Sequence, residues 1–150
     1  MRDLHHLVRF IEAQEPVYQQ ALTELASGQK QSHWMWFIFP QLKGLGRSET
    51  AEYFGISGLD EARAYLEHPT LGPRLYESTR AACRCGIRDA AILFGFPDNF
   101  KFRSSMTLFA EAARHSTLPE KRTAVFTHAL KIFFNGEPDL ATLQLLRPTR

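Results

Sequence analysis

The sequence is poor in cysteine, with only Cys83 and Cys85 among its 150 residues. Two positions apart on a helix, these thiols would point to different faces, because only neighbours three or four positions apart meet. Two cysteines also supply too few ligands for a zinc site of their own. Their scarcity excludes a disulfide-stapled scaffold and a cysteine zinc site, and two reduced thiols are expected.

A long apolar run is also missing. The longest one, residues 34–40, falls far short of the roughly 20 residues that span a bilayer. The first residues of the chain lack the apolar stretch of a signal peptide. These two absences predict a cytoplasmic protein that has no membrane partner.

An excess of one charge is absent as well. Eighteen Lys and Arg residues face 16 Asp and Glu residues, for a net charge of +2. This balance does not favour nucleic acid as a partner, because such proteins cluster basic residues on one face. Arg80 and Arg84, four positions apart with no acidic residue between them, form a modest basic strip that is typical of a solvated helix face. Nothing in the sequence indicates an oligomeric state.

Familiar motifs of catalysis and cofactor binding are missing. The chain contains no Gly-x-Ser-x-Gly, no His-Glu-x-x-His and no Gly-Lys-Ser/Thr end of a P-loop. Gly44 and Gly46 lack the preceding strand and the spacing of a dinucleotide fingerprint. The sequence therefore predicts no cofactor and no metal site, and it leaves open whether the protein is an enzyme.

Helical spacing of apolar residues dominates the sequence. Capping residues, prolines and glycines separate the segments; Asp3, Ser48 and Thr70 are predicted N-caps, and Gly28 is a predicted stop. No two convincing alternating strands are present. We predict a mostly α fold, a compact single multihelical domain of residues 1–150 with seven to eight helices. Periodicity does not distinguish a buried strand from a helical turn at residues 36–39, so a minor strand element there stays open.

Aromatic and polar side chains are concentrated in residues 32–48, which hold both tryptophans of the chain. Rings can stack on a flat ligand, while a glycine-containing loop and cations can hold its anionic part. The alternative is that the rings only form core. The candidate ligand-binding residues of this region are Lys30, Ser32, Trp34, Trp36, Gln41, Lys43, Arg47 and Ser48.

A second candidate segment is residues 98–107. A Pro-Asp-Asn turn leads into a helix, and the predicted helix start carries hydroxyl groups beside Lys101 and Arg103. The alternative is ordinary N-capping by a serine. This segment adds to the candidate binding residues Arg103, Ser104 and Ser105.

Two residues are candidates for catalysis. An imidazole can act as a general acid or base near neutral pH, so His33 is the first; Lys101 is the second. The alternative for His33 is a structural hydrogen bond. We expect segments 32–48 and 98–107 to converge on a pocket for a small anionic, nucleotide-like ligand. A non-catalytic interaction module is the other hypothesis, and it predicts an exposed apolar patch around residues 34–39.

Four stretches of the chain resemble the signature of an uncharacterised bacterial family, a domain of unknown function whose members are often labelled calpastatin. They are residues 28–48 (GQKQSHWMWFIFPQLKGLGRS), 59–75 (LDEARAYLEHPTLGPRL), 96–109 (FPDNFKFRSSMTLF) and 136–139 (GEPD). The resemblance implies a compact, mainly helical domain and carries no established activity. The calpastatin label conflicts with the sequence, since an inhibitor of that kind is a disordered polar chain.

A weaker likeness concerns bacterial proteins that process ADP-ribose-related N-glycosides. The tryptophan-rich segment, the later helical Lys101 and the small size of the chain are similar to that group. None of its acidic catalytic residues aligns with this sequence. Processing of such an N-glycoside is therefore kept as a further alternative function.

Overall fold

Ten α-helices form the regular structure of residues 3–147, the part of the chain that the computed structural model describes. The mostly α prediction is confirmed, but ten helices exceed the seven to eight expected, because two short apolar segments, α3 and α7, are also helical. The single domain predicted over residues 1–150 stays a prediction, since its two ends lie outside the described residues. The helices are α1 (Val8–Gln14), α2 (Tyr18–Ser27), α3 (Met35–Ile38), α4 (Glu49–Phe54), α5 (Leu59–Glu67), α6 (Leu71–Arg84), α7 (Ala90–Phe94), α8 (Asp98–Ala113), α9 (Glu120–Phe134) and α10 (Leu140–Leu146).

The minor strand considered at residues 36–39 is wrong. These residues lie in and directly after α3, a single turn in which the N–H groups of Phe37 and Ile38 donate to the Trp34 carbonyl. Such a short helix is not stable alone and exists here because the surrounding core holds it. Within residues 3–147, β pairing is limited to one isolated parallel bridge between Leu42 and Ile56.

Helix α8 lies at the centre of the core and packs against α3, α5, α7, α9 and α10. Its residues Phe102, Met106 and Phe109 are fully buried. The Phe102 ring lies 5.0 Å from Phe39 and 4.3 Å from Phe94, measured between centroids. Aromatic pairs of this kind add about 0.5–1.5 kcal/mol each beyond their area burial. These ring contacts pack the end of the aromatic segment, at Phe39, against α8.

Two of the three N-caps predicted at Asp3, Ser48 and Thr70 are observed. The Asp3 carboxylate accepts from the backbone N–H groups of Leu7 and Val8, and the Ser48 hydroxyl accepts from that of Ala51. The cap predicted at Thr70 is wrong. Its side chain makes no capping bond, and Nδ1 of His68 instead accepts from the N–H groups of Thr70 and Leu71.

Among the helices between residues 3 and 147, none has both the length and the apolar character that a membrane span requires.

Gly72 allows α6 to approach the end of α5 closely. A Cβ atom at this position would lie 2.1 Å from the Leu66 carbonyl oxygen, which is backbone and cannot rotate away. We expect Gly72→Ala to lower the free energy of unfolding by about 1–3 kcal/mol, the usual cost of overpacking. Urea unfolding followed by circular dichroism measures the change.

The matched control for this substitution is Gly58→Ala, because a Cβ at Gly58 meets no atom within 4 Å among the described residues. We expect it to change the free energy of unfolding by less than about 1 kcal/mol, the usual difference between glycine and alanine at an N-cap. Equal losses in the two variants would show that the contact with Leu66 is not what requires glycine.

Candidate functional site

The first predicted segment is held in place by one buried carboxylate, Glu24 of α2. Its Oε1 accepts from the backbone N–H groups of Gln31 and Ser32 at 2.8 and 2.9 Å and from the Trp34 indole at 2.9 Å. Its Oε2 accepts from the Ser32 hydroxyl at 2.6 Å. Trp34 is fully buried, and both its indole N–H and the Ser32 hydroxyl are engaged by Glu24 within the fold.

This set of hydrogen bonds determines the ionisation of Glu24. Burial alone opposes the charged form and raises the pKa of the carboxyl group. The bonds from Ser32, Gln31 and Trp34 together outweigh burial, and the pKa of Glu24 falls to about 2. The carboxylate is therefore ionised throughout the neutral range.

The two predicted segments meet at Asp98, the first residue of α8. Its carboxylate lies 2.9 Å from the Lys30 ammonium and 3.5 Å from that of Lys101. The Lys30 side chain is only 7% exposed, and its ammonium also donates to the Ser32 carbonyl at 2.6 Å. Lys30 is thus a buried link between the segments, and Asp98 is the partner that the sequence interpretation did not identify.

A narrow cleft, here named the Trp36–Lys101 cleft, opens beside this junction. The Lys101 ammonium lies 5.2 Å from the centre of the half-buried Trp36 ring, within cation–π range. The free volume of the cleft is about 10 Å³, which is room for roughly one water molecule. The lining residues are Met35, Trp36, Phe39, Gln41, Ala51, Phe54, Gly55 and Lys101.

The loop that follows the aromatic segment forms one wall of this cleft. Gln41 lines it directly, and Lys43 packs against Gly55, another lining residue. The side chains of Lys43 and Arg47 are exposed and make no ion pair among the described residues. Ser48 caps α4, a helix of only six residues, so its hydroxyl is already used.

The helix start predicted at Ser104 and Ser105 is wrong. Helix α8 begins at Asp98, directly after Pro97, because proline and an acidic residue both suit a helix N-terminus. The two serines therefore lie in the helix interior and offer no free N–H groups. The Ser104 hydroxyl lies 3.1 Å from the Phe100 carbonyl and from Oδ2 of Asp139, and Ser105 is fully buried.

Arg103 is also committed to the fold. Its Nε donates to the Glu137 carbonyl at 3.0 Å, and its Nη2 lies 3.4 Å from the carboxylate of the same residue. The guanidinium covers the Phe134 ring at 5.4 Å. Arg103 thus connects α8 to the segment before α10 and does not line the Trp36–Lys101 cleft.

The two catalytic candidates do not share the cleft. Lys101 lines it, whereas His33 is exposed and is not among its lining residues. Trp36, Gln41 and Lys101 therefore line the cleft, and Asp98 joins Lys30 to Lys101 beside it. The lining does not include His33, Arg103 or the two serines. Glu24 and Asp98 were missed as organising residues, since a lone acidic residue on a predicted helix carries no signal of a partner distant in sequence.

Comparison with known proteins gives the family. The profile of the family described as "Protein of unknown function (DUF1810)" matches residues 4–146. The crystal structure of the conserved hypothetical protein Rv1873 from Mycobacterium tuberculosis is similar, with a TM-score of 0.91 and 45% sequence identity. That similarity covers 98% of this chain and 100% of the other. No curated protein matches the chain. The resemblance to a domain-of-unknown-function family is therefore confirmed, and the chain belongs to the DUF1810 family.

Proposed function

We propose that the protein binds a small anionic, nucleotide-like ligand across the mouth of the Trp36–Lys101 cleft. The observation that carries this proposal is the Lys101 ammonium above the half-buried Trp36 ring, at the point where the two predicted segments converge. A ring that is half exposed beside a cation can stack on a base and pair with its phosphate.

The size of the cleft limits how such a ligand can lie. Pockets that enclose a drug-sized molecule have volumes of about 300–1,000 Å³, whereas this cleft is close to 10 Å³. The ligand therefore lies on the surface at the mouth, with the exposed cations Lys43 and Arg47 of the adjoining loop near its anionic part. Binding of this kind is weaker than enclosure, because less of the ligand leaves water.

Replacing Lys101 by methionine is the direct test. Methionine keeps an apolar stem over Trp36 but removes the charge, so we expect ADP and ADP-ribose to bind about tenfold more weakly, the effect of removing one charge-assisted hydrogen bond. Isothermal titration calorimetry at fixed ionic strength measures both affinities. The proposal is wrong if neither nucleotide binds the native protein at millimolar concentration.

The control for this test is Lys131→Met, since Lys131 is exposed in the last turn of α9 and does not line the cleft. The two substitutions change the net charge equally. We expect the control to leave both affinities within about twofold of the native value, which is the size of a screened long-range effect. Equal weakening in both variants would assign the binding to net charge rather than to Lys101.

A protein-interaction module is the second candidate, and one observation favours it. The exposed patch expected around residues 34–39 is not there, because Trp34, Ile38 and Phe39 are buried. The side chains of Phe96 and Phe100 are exposed instead, and the centroids of their rings lie 5.5 Å apart. Such side chains are typical of interaction surfaces when they are contiguous.

Processing of an ADP-ribose-related N-glycoside has less support. That chemistry uses acidic groups, and no carboxylate lines the Trp36–Lys101 cleft within the described part of the chain. The carboxylate at the junction, Asp98, is engaged by Lys30 and Lys101. Hydrolysis of NAD⁺ to nicotinamide and ADP-ribose by the native protein would nevertheless identify this activity, since NAD⁺ is an N-glycoside of ADP-ribose.

A further inference from the structure

A second concave surface lies between α6 and α9, on residues outside both predicted segments. Its free volume is about 380 Å³, which is within the range of pockets for small molecules. Tyr76, Arg80 and Arg84 line it from α6, at positions that share one helix face. Lys121 and His128 line it from α9, seven positions apart and therefore also on one face. We name it the α6–α9 groove.

The charges in the α6–α9 groove are of one sign. Arg80, Arg84 and Lys121 contribute three positive charges, and no carboxylate is among the lining residues. None of the three makes an ion pair with any residue between 3 and 147. A cleft lined by one sign of charge concentrates the electrostatic field and attracts an ion of the opposite sign.

The remaining lining residues do not offset this charge. Burial raises the pKa of the Cys83 thiol to about 12, with a smaller contribution from Cys85, so the thiol is neutral. Val125 and Ala124 provide an apolar floor. The Arg122 guanidinium lies over the Tyr76 ring at 4.9 Å and adds a further cation at the margin of the groove.

We propose that the α6–α9 groove binds a small molecule bearing an oligophosphate chain. Guanidinium groups bind phosphate oxygens in a bidentate manner, and two of them four positions apart on α6 can contact successive phosphates. Three to four cations balance the charge of a triphosphate. An isolated carboxylate ligand would leave most of that charge unbalanced, and the groove is too localised for the extended basic face of a nucleic-acid binder.

This site changes the meaning of the basic strip formed by Arg80 and Arg84. On an isolated helix the strip is a solvated face, but packing of α9 against it turns that face into one wall of a groove. The first cation of α9, Lys121, lies 37 positions after Arg84 in the chain. The proposed site is independent of the Trp36–Lys101 cleft, because the two share no lining residue.

The test uses sodium tripolyphosphate as the probe, with the native protein and the double variant Arg80→Gln, Arg84→Gln. We expect calorimetry at fixed ionic strength to show saturable binding that the double variant weakens about 100-fold, the combined effect of removing two charge-assisted hydrogen bonds. Orthophosphate is expected to bind at least about tenfold more weakly than tripolyphosphate, since it contacts fewer cations. Lys121→Met on the opposite wall is an independent variant and is expected to weaken binding about tenfold.

The control is the double variant Arg63→Gln, Arg88→Gln, which removes the same charge from two exposed positions outside the groove. We expect its affinity for tripolyphosphate to stay within about twofold of the native value, as for screened charges. Thermal unfolding in the absence of probe verifies that every variant is folded. The proposal is overturned by lack of saturable binding, by equal weakening in the control, or by an oligonucleotide that binds the groove more tightly than tripolyphosphate.

Discussion

Replacing Glu61 by glutamine is expected to lower the free energy of unfolding by about 3–5 kcal/mol, the usual cost of removing one partner from a buried ion pair. Oε2 of Glu61 lies 2.7 Å from Nη2 of Arg9, and both side chains are less than one-tenth exposed. The substitution leaves a guanidinium charge away from water without its counter-charge. Urea unfolding at neutral pH measures the loss.

The arrangement around Arg9 explains why this pair matters to several helices at once. The guanidinium donates to the carbonyl groups of His5, His6, Tyr53 and Gly55, at distances from 2.7 to 3.1 Å. Oε1 of Glu61 accepts from the Ser57 N–H at 3.0 Å. One ion pair therefore connects the start of α1, the end of α4 and the start of α5, and its loss is expected to affect all three.

The control is the same substitution at an exposed ion pair. Oε1 of Glu111, in the last turn of α8, lies 3.3 Å from Nη1 of Arg114, the residue directly after that helix, and the Arg114 side chain is 72% exposed. Exposed pairs contribute about 0–1 kcal/mol, so Glu111→Gln is expected to change the free energy of unfolding by no more than that. If Glu61→Gln and Glu111→Gln lowered the free energy of unfolding by similar amounts, burial would not be what makes the Arg9–Glu61 pair important for stability.

Most helix boundaries could be predicted from the sequence because the capping and stop signals that set them are local. Ser48 caps α4 and Gly28 ends α2 with a positive φ of 83°, as predicted, since capping depends on residues only a few positions apart. The start of α8 was misplaced because three hydroxyl residues resembled a cap. The signal at the true start, Pro97 followed by Asp98, is also local, but it was interpreted as a turn that precedes the helix.

The proximity of two segments could be expected from the sequence, whereas the pairing of their side chains could not. Residues 32–48 and the start of α8 do lie together, through Trp36 with Lys101 and Phe39 with Phe102. The carboxylates that hold the cations and the indole, Asp98 and Glu24, depend on chain geometry that no local pattern encodes. The pairing of Lys30 with Asp98 joins residues 68 positions apart, as their numbers show.

The same dependence on distant partners explains why the sequence predicted an ordinary surface where the α6–α9 groove lies. The sequence places Arg80 and Arg84 on one helix face but does not reveal which helix packs against that face. Lys121 and His128 belong to another predicted helix. A concave surface of one charge sign exists only after α6 and α9 pack together. A basic strip on one predicted helix therefore becomes informative when the facing helix also carries a cation, as α9 does at Lys121.

Replacing Glu24 by glutamine is expected to lower the free energy of unfolding by about 3 kcal/mol at pH 7, which corresponds to the difference between the ordinary pKa of 4.5 and a value of about 2. Glutamine keeps the size of the side chain. It replaces a carboxylate that accepts from Ser32, Gln31 and Trp34 with an amide whose NH₂ group cannot accept. Urea unfolding measures the loss.

The pH dependence distinguishes this effect from lost packing. Because folding lowers the pKa of Glu24, its contribution to stability is complete above about pH 4.5 and is lost as the pH falls toward 2. The native protein and Glu24→Gln are therefore expected to differ by only about 1–1.5 kcal/mol at pH 3. Glu12→Gln is the control, since Glu12 is exposed and makes no side-chain hydrogen bond or ion pair within residues 3–147. A difference between native protein and Glu24→Gln that stays constant from pH 7 to pH 3 would mean that the carboxylate stabilises segment 31–34 by its shape, not by its charge.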